Sequence, residues 1–182
     1  MKFYLVRHAH ADWSPDEGRP LSACGHRDAL RVADTLDPFP IQGVLSSPYR
    51  RAIQTVEPLA SRKHLRIEKR GGFRERELGS YSTVTFDEAV SMTWEDPNFA
   101  HPGGETHREA QIRGVGGIQK LLDERVEGPL VIGTHGTLLA LILNHYDPSL
   151  GYAFWCTLTM PDIYSLEVLG SGEVRIERIW NG

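Results

Sequence analysis

The chain has 182 residues, 40% hydrophobic and 24% charged, a balance that suits one globular domain and excludes a disordered or fibrous chain. Its formal charge of −4 argues against a general nucleic-acid binder, and no stretch approaches the roughly 20 apolar residues that span a bilayer. The two cysteines, Cys24 and Cys156, lack C-x-x-C spacing, so neither a disulfide framework nor a zinc knuckle is implied.

In chain order, residues 2–6 (Lys-Phe-Tyr-Leu-Val) read as a buried strand. The apolar run is cut off by Arg7 and His8, too soon for a secretory segment, and a cytoplasmic protein is expected. Residues 22–36 read as a helix closed before Pro38, and 43–46 as a second strand. Ser47 is a good N-cap with Pro48 at the first helical position, which predicts a helix over 48–61 and then a strand over 65–69. Residues 80–104 show no period and are expected to form a helical flap or cap. Thr106 and Glu109 make a capping box before Ile112, Val115, Ile118, Leu121, Leu122 and Val126 at helical spacing, although Gly114, Gly116 and Gly117 weaken that helix. A strand over 129–133, an apolar helix over 137–145, and a tail of two or three strands over 154–180, broken at Gly170-Ser171-Gly172, complete the pattern. Strands alternating with helices predict an α/β protein: a three-layer α/β/α sandwich with a mixed, largely parallel central sheet, one domain over 1–182 and a small cap at 80–104.

Three of these strands run straight into basic or imidazole side chains. Arg7-His8 follows the first, Ser46-Ser47-Pro48-Tyr49-Arg50-Arg51 the second, and Thr134-His135-Gly136 another. Ligands of open α/β sheets bind at the carboxyl ends of strands, so these segments are expected to converge on an anion. The helices near Pro48 and Thr137 would turn unpaired N–H groups toward the same crevice, which makes a phosphate the natural occupant. A single histidine after a strand is usually structural. Three cationic segments at three strand ends are not, because buried cations are costly without an anion. The further run Arg62, Lys63, Arg66, Lys69, Arg70, Arg74 and Arg76 reads first as a solvated face, with attraction of anionic substrates as the alternative.

Together these residues resemble the histidine phosphatase superfamily, also called the phosphoglycerate-mutase-like family. The likeness runs through Leu5-Val6-Arg7-His8-Ala9, Pro20-Leu21-Ser22 with Gly25, Ser46-Ser47-Pro48 with Arg51-Ala52 and Gln54-Thr55, Phe73-Arg74-Glu75 with Gly79, Pro102-Gly103-Gly104-Glu105, and Thr134-His135-Gly136. It departs from the family pattern at Ala9, where Gly is usual, at Ala11, where Thr is common, and at Ser14, where Asn often lines the phosphate pocket. Ala9 needs only a negative φ, and Ser14 keeps a hydroxyl donor.

The resemblance implies that His8 is a nucleophile forming a phosphohistidine, that Arg7, Arg51 and His135 hold the phosphoryl oxygens, and that Glu75 is the acid, with Glu77 and Glu105 as competitors. Ser14, Gly136 and Tyr81 join the expected substrate contacts. Trp13, Tyr49, Trp94, Phe99 and His101 are candidates for the organic part of the substrate, against a plain packing role. Charge on the equatorial oxygens of a loose phosphoryl-transfer transition state suits fixed guanidinium donors, whereas the nucleophilic imidazole must be neutral. No cofactor and no metal is required. The expected partner is a small phosphorylated metabolite or a phosphoprotein, the expected state monomer or dimer.

Three rival readings remain. His8-Ala-His10-Ala-Asp12 matches the His-x-His-x-Asp run of metallo-β-lactamase-like hydrolases, but Trp13 replaces the next ligand and Arg7 would repel a dication, leaving His10 as a local hydrogen-bonding residue. A mutase would use the same residues to return the phosphoryl group to its substrate. A binding module would keep the fold without turnover.

Overall fold

The computed structural model describes residues 1–182 except 15, 17, 127 and 171. Its elements are β1 (Lys2–Arg7), α1 (Ala23–Leu36), β2 (Gly43–Ser46), α2 (Arg50–Arg62), β3 (Ile67–Lys69), a 3-10 turn at Gly71–Phe73, α3 (Phe86–Glu95), α4 (His107–Asp123), β4 (Leu130–Thr134), α5 (Gly136–Tyr146), α6 (Tyr152–Thr157), β5 (Asp162–Val168) and β6 (Val174–Arg178). The six strands form one sheet in the order β3-β2-β4-β1-β5-β6. β1, β2 and β3 join through parallel ladders around β4 and β2, while β5 runs antiparallel to both β1 and β6. The sheet is therefore mixed and largely parallel, as expected.

Strand alternation assigns the two faces. Phe3 and Leu5 of β1, with Leu130 and Ile132 of β4, pack on one side with Ile118 and Leu121 of α4 and Leu138 to Leu143 of α5. Tyr4 and Val6, with Val131, point the other way to Val32 and Leu36 of α1 and Val56 and Leu59 of α2. Both faces of β1 and β4 are thus covered, which is why these strands read as continuous apolar runs. Each such side chain contributes about 1.5–3 kcal/mol on burial.

The capping box at α4 is formed: Thr106 Oγ1 accepts from Glu109 N–H at 3.0 Å, and Glu109 Oε2 accepts from Thr106 N–H at 2.9 Å. The glycines of α4 have a packing purpose. A Cβ on Gly114 would come within 2.9 Å of Ile142 and Leu138 of α5, and one on Gly117 within 3.0 Å of Phe73; Gly116 faces open space. Val126 lies beyond the end of the helix.

Two sequence expectations are corrected. Ser47 does not cap α2, which starts at Arg50 with Tyr49 as N-cap. The Ser47 N–H instead continues the sheet by donating to the Gly133 carbonyl at 2.8 Å, and the chain bends at Pro48 and Tyr49 before the helix begins. The tail does not begin with a strand at 154, since α6 occupies 152–157 and the first tail strand is β5. Aromatics favour strands and helical packing alike, and the Tyr152–Trp155 stacked pair at helical spacing places them in a helix here. The break at Gly170-Ser171-Gly172 includes residue 171, outside the described residues. Among the described residues, no helix is long and apolar enough to cross a membrane.

Gly25 shows how tightly the loop after β1 meets α1: a Cβ there would lie 2.0 Å from the His10 carbonyl oxygen. We predict that Gly25→Ala destabilises the protein by about 1–3 kcal/mol through forced backbone displacement. Gly116→Ala, in open space within a helix, should stabilise it by about 0.5–1 kcal/mol. Urea midpoints measure both, and a shift of the same sign in the two variants would contradict the packing described.

Candidate active site

The parallel strand ends bring the three cationic segments together. The His8 N–H extends the ladder to the Thr134 carbonyl at 3.0 Å, so the residue after β1 and the residue after β4 stand side by side. The His8 and His135 rings meet edge to face with centroids 5.2 Å apart. The loop carrying His8 is pinned from α2: Thr55 Oγ1 accepts from Ala9 N–H at 2.9 Å and donates to the Arg51 carbonyl at 2.7 Å. Gln54 Oε1 accepts from Leu21 N–H at 2.9 Å and ties down the loop before α1. Gln54 and Thr55 are thus the struts of the site. Ala9 has no positive φ, so nothing at that position demands glycine.

His8 is 6% exposed. Its Nδ1 lies 2.7 Å from the Ala9 carbonyl oxygen; a carbonyl only accepts, so Nδ1 carries the proton and Nε2 the lone pair. Arg51 Nε–H donates to that Nε2 at 3.2 Å. Burial, against the bond to Ala9 and reinforced by the charges of Arg51, Arg7 and Arg19, lowers the imidazole to about 3. It is a neutral, oriented imidazole among guanidinium groups.

His135 is fully buried, and burial first, then neighbouring charge including Arg51, pushes it well below its ordinary value. Its Nε2 lies 2.7 Å from Ser47 Oγ, which also accepts from Tyr49 N–H at 3.3 Å. With the Ser47 hydroxyl proton given to Nε2, the donor falls on His135 Nδ1, which has no partner among the described residues. Arg7 is held by the Leu158 and Thr159 carbonyls, at 2.9 and 3.3 Å from Nη1, and its Nε is unpartnered among the described residues. That carbonyl loop is anchored by buried Asp162, which accepts from Thr159 N–H and pairs with Arg178. A Cβ on Gly136 would come within 3.0 Å of the Arg7 guanidinium, so the missing side chain is what lets Arg7 lie there.

Glu75 sits across the cavity. Its Oε2 accepts from Thr137 N–H at 3.2 Å, and its Oε1 from Leu138 and Arg76 N–H at 3.0 and 2.9 Å. This corrects one expectation: the first-turn N–H groups of α5 at Thr137 and Leu138 are occupied by a carboxylate and do not open onto the crevice. Of the competing acids, Glu105 is bound by Arg113 at 2.7 and 2.8 Å and by Arg74 at 3.4 Å. Burial raises its pKa, but these arginines outweigh it and hold the carboxyl below its ordinary value. Glu77 is exposed on the outer rim.

A cavity of about 250 Å³ is lined by Arg7, His8, Arg51, Glu75, Gly136 and Thr137, together with Arg19, Arg76, Phe86, Val90, Trp155 and Met160. It shares Arg19, Arg51, Glu75, Arg76, Leu78 and Phe86 with an outer vestibule of about 340 Å³ that adds Trp13, Asp16, Tyr49, Glu77 and Tyr81. Tyr81 therefore belongs to the vestibule. Ser14 lines neither space: its hydroxyl accepts from Asp16 N–H at 3.2 Å, and its carbonyl holds Arg19 at 2.6 Å. Trp94 packs on His107 and Phe99 on His101, away from both spaces. Segment 80–104 contributes α3, whose Phe86 and Val90 face the inner cavity. His10 Nδ1 meets Ser22 Oγ at 2.8 Å, a local bond at the cap of α1.

Sequence reasoning missed Arg19 and Arg76 as site residues. Arg19 directly precedes Pro20-Leu21-Ser22 and Arg76 directly follows Glu75, and adjacency to motif residues was the available signal. Most of the basic run is a surface face, with Arg62, Lys63, Arg70 and Arg74 in ion pairs to Asp34, Asp37, Glu68 and Glu105; of that run, Arg76 is the buried one.

An open α/β sheet whose parallel strand ends gather guanidinium groups around a neutral imidazole defines an enzyme that handles phosphate esters. The model of the histidine phosphatase superfamily (branch 1) matches residues 3–177, and the chain belongs to that superfamily of metal-independent hydrolases. It is 29% identical over 155 residues, 80% of this chain and 79% of the relative, to an uncharacterized phosphatase PhoE of Bacillus subtilis (strain 168). It is 27% identical over 172 residues, 90% and 78% of the two chains, to phosphoserine phosphatase 1 of Hydrogenobacter thermophilus. The structure of a mycobacterial glucosyl-3-phosphoglycerate phosphatase in complex with VO3 shares the fold, with a TM-score of 0.82 at 24% identity over 100% of this chain and 98% of that one.

The unfolded chain protonates its histidines near pH 6.5, whereas His8 and His107 resist protonation until about 3. Between those values the unfolded state binds more protons, so stability falls as pH is lowered through this window. In phosphate-free buffer, the His8 ring nitrogens should keep their neutral-form NMR shifts between about pH 5 and 8, where a free histidine titrates. A midpoint near the free value would contradict the environment described.

Proposed function

We propose that the chain is a phosphatase in which His8 takes the phosphoryl group of a small phosphorylated metabolite and passes it to water. The observation that carries this reading is the His8 tautomer: a buried imidazole with Nδ1–H fixed on the Ala9 carbonyl presents its Nε2 lone pair to the cavity. That lone pair forms a P–N bond as the ester P–O bond breaks. Glu75, on the opposite wall, gives its proton to the departing oxygen. In the second step Glu75 takes a proton from water as water attacks phosphorus, the P–N bond breaks, and orthophosphate leaves.

Arg7, Arg51 and the Nδ1–H of His135 are the donors for the phosphoryl oxygens, and Arg7 Nε and His135 Nδ1, which have no partner among the described residues, are the groups an oxyanion would satisfy. The Arg51 bond to His8 Nε2 must yield to the incoming phosphorus, which leaves the guanidinium beside the oxygens it then serves. The vestibule supplies a route for water to the inner cavity, which supports hydrolysis over return of the phosphoryl group to substrate. The free thiols of Cys24 and Cys156 fit a reducing, cytoplasmic setting for this reaction.

With chelator present, the protein should release phosphate from p-nitrophenyl phosphate, and His8→Ala should lower turnover at least about a thousandfold while keeping its urea midpoint. Undiminished activity in that variant would remove His8 from the mechanism. Glu75→Gln should slow alkyl phosphates by about 10²–10⁴ and p-nitrophenyl phosphate by less than about tenfold, because the aryl leaving group needs little protonation. Equal losses on both ester classes would assign the proton to another group.

A further inference from the structure

Glu75 sits in a segment that no sheet or helix holds. β3 ends at Lys69, a 3-10 turn covers Gly71–Phe73, and residues 74–85 run without helix or strand. Carbonyls outside a ladder need donors from elsewhere, and here side chains supply them. Three consecutive carbonyls directly before Glu75 are held in this way. Arg113 of α4 donates from Nη1 to Gly72 at 2.8 Å and to Arg74 at 3.0 Å, and Thr134 of β4 donates from Oγ1 to Phe73, between them, at 3.0 Å. Glu105 takes the rest of the Arg113 fork, Nε–H donating to Oε1 at 2.8 Å and Nη2–H to Oε2 at 2.7 Å. Four of the five N–H groups of one guanidinium are thus committed, a pattern that a lysine cannot reproduce. The Arg113 and Glu105 side chains are only 15% and 13% exposed, so water competes little for these bonds.

Arg113 lines neither the inner cavity nor the vestibule, so it acts from behind Glu75 and not on a substrate. The next residue, Gly114, brings α4 against α5, where a Cβ would come within 2.9 Å of Leu138 and Ile142. α5 in turn donates its Thr137 and Leu138 N–H groups to the Glu75 carboxylate. The backbone before Glu75 and the carboxylate at its tip are therefore held by two helices packed closely on each other. We propose that Arg113, fixed by Glu105, is a positioning residue for the acid: it sets the reach of Glu75 to the ester oxygen without touching the substrate. Proton transfer needs the two heavy atoms at hydrogen-bond distance, and a misplacement of about 1 Å costs on the order of a hundredfold in rate. This role rests on the phosphatase reading above, in which Glu75 gives the proton.

A residue that acts through the acid leaves a signature that a merely structural one does not. In Arg113→Gln, kcat for ethyl phosphate should fall about ten- to a hundredfold and kcat for p-nitrophenyl phosphate less than about threefold, with KM for either ester within about threefold of wild type. Combined with Glu75→Gln, the same substitution should slow ethyl phosphate by less than about a further threefold, because the group it positions is already gone. Equal losses on the two esters in Arg113→Gln, or full additivity in the double variant, would overturn the assignment. Arg113→Lys and Thr134→Val, the second nearly isosteric and lacking only the donor to Phe73, should show the same selectivity in milder form and carry the comparison if Arg113→Gln does not fold. Amide exchange gives a reading that needs no turnover. Protection of the Arg76, Thr137 and Leu138 N–H groups, which all donate to the Glu75 carboxylate, should drop at least about tenfold in Arg113→Gln while α1 keeps its protection. Unchanged protection at these three amides would equally overturn the assignment. Selective losses in Glu75→Gln with none in Arg113→Gln would sink this inference and leave the phosphatase, whereas lost protection in Arg113→Gln with no turnover of either ester by wild type would sink the phosphatase and leave Arg113 as the residue that holds Glu75.

Discussion

A neutral imidazole surrounded by guanidinium groups is the constraint on which the structure turns. His8 can stay unprotonated because it is buried and because Arg51, Arg7 and Arg19 make a further positive charge unfavourable. The same arginines are tolerable in the interior only where an anion periodically joins them. The neutrality of the imidazole and the site's fitness for an anion are therefore one electrostatic arrangement.

Holding that arrangement takes much of the fold. Parallel pairing of β1 and β4 sets His8 beside His135, and the hydroxyl of Thr55 from α2 fixes the loop that follows His8. Gly136 keeps clear the volume in which Arg7 lies, and the Asp162–Arg178 pair steadies the carbonyls that Arg7 grips. Glu75 is placed by the first-turn N–H groups of α5, so a carboxylate stands between the helix N-terminus and the cavity. These contacts tie strand ends to neighbouring strands, loops and helices, which is why the site lies on the rim of the sheet and not within a loop alone.

The outer part of the site is built differently. Phe86 and Val90 of α3, Trp155 of α6 and Met160 bound the inner cavity with apolar surface, while the vestibule is ringed by Trp13, Tyr49 and Tyr81. An apolar wall around a cluster of arginines strengthens their attraction for anions by keeping the local dielectric low. Arg76 stands where the two spaces meet.

The α/β class, the two-sided burial of β1, the capping box of α4 and the convergence of Arg7, His8, Arg51 and His135 were all legible in the sequence, because strand alternation, cap chemistry and strand-end position act over a few residues. Local rules also misled where a longer contact prevailed. Ser47 looks like a cap but its N–H belongs to the sheet through Gly133, and the aromatics at 152–155 look like a strand but form a helix. Gly114 and Gly117 look like helix breakers until α5 and Phe73 are seen filling the space that a side chain would take. The engagement of Glu75 by α5, the withdrawal of Ser14 from the cavity, and the entry of Arg19 and Arg76 were decided only by tertiary structure. These depend on which groups far apart in the chain compete for the same hydrogen bond or the same few ångströms, and no local pattern of residues encodes that competition.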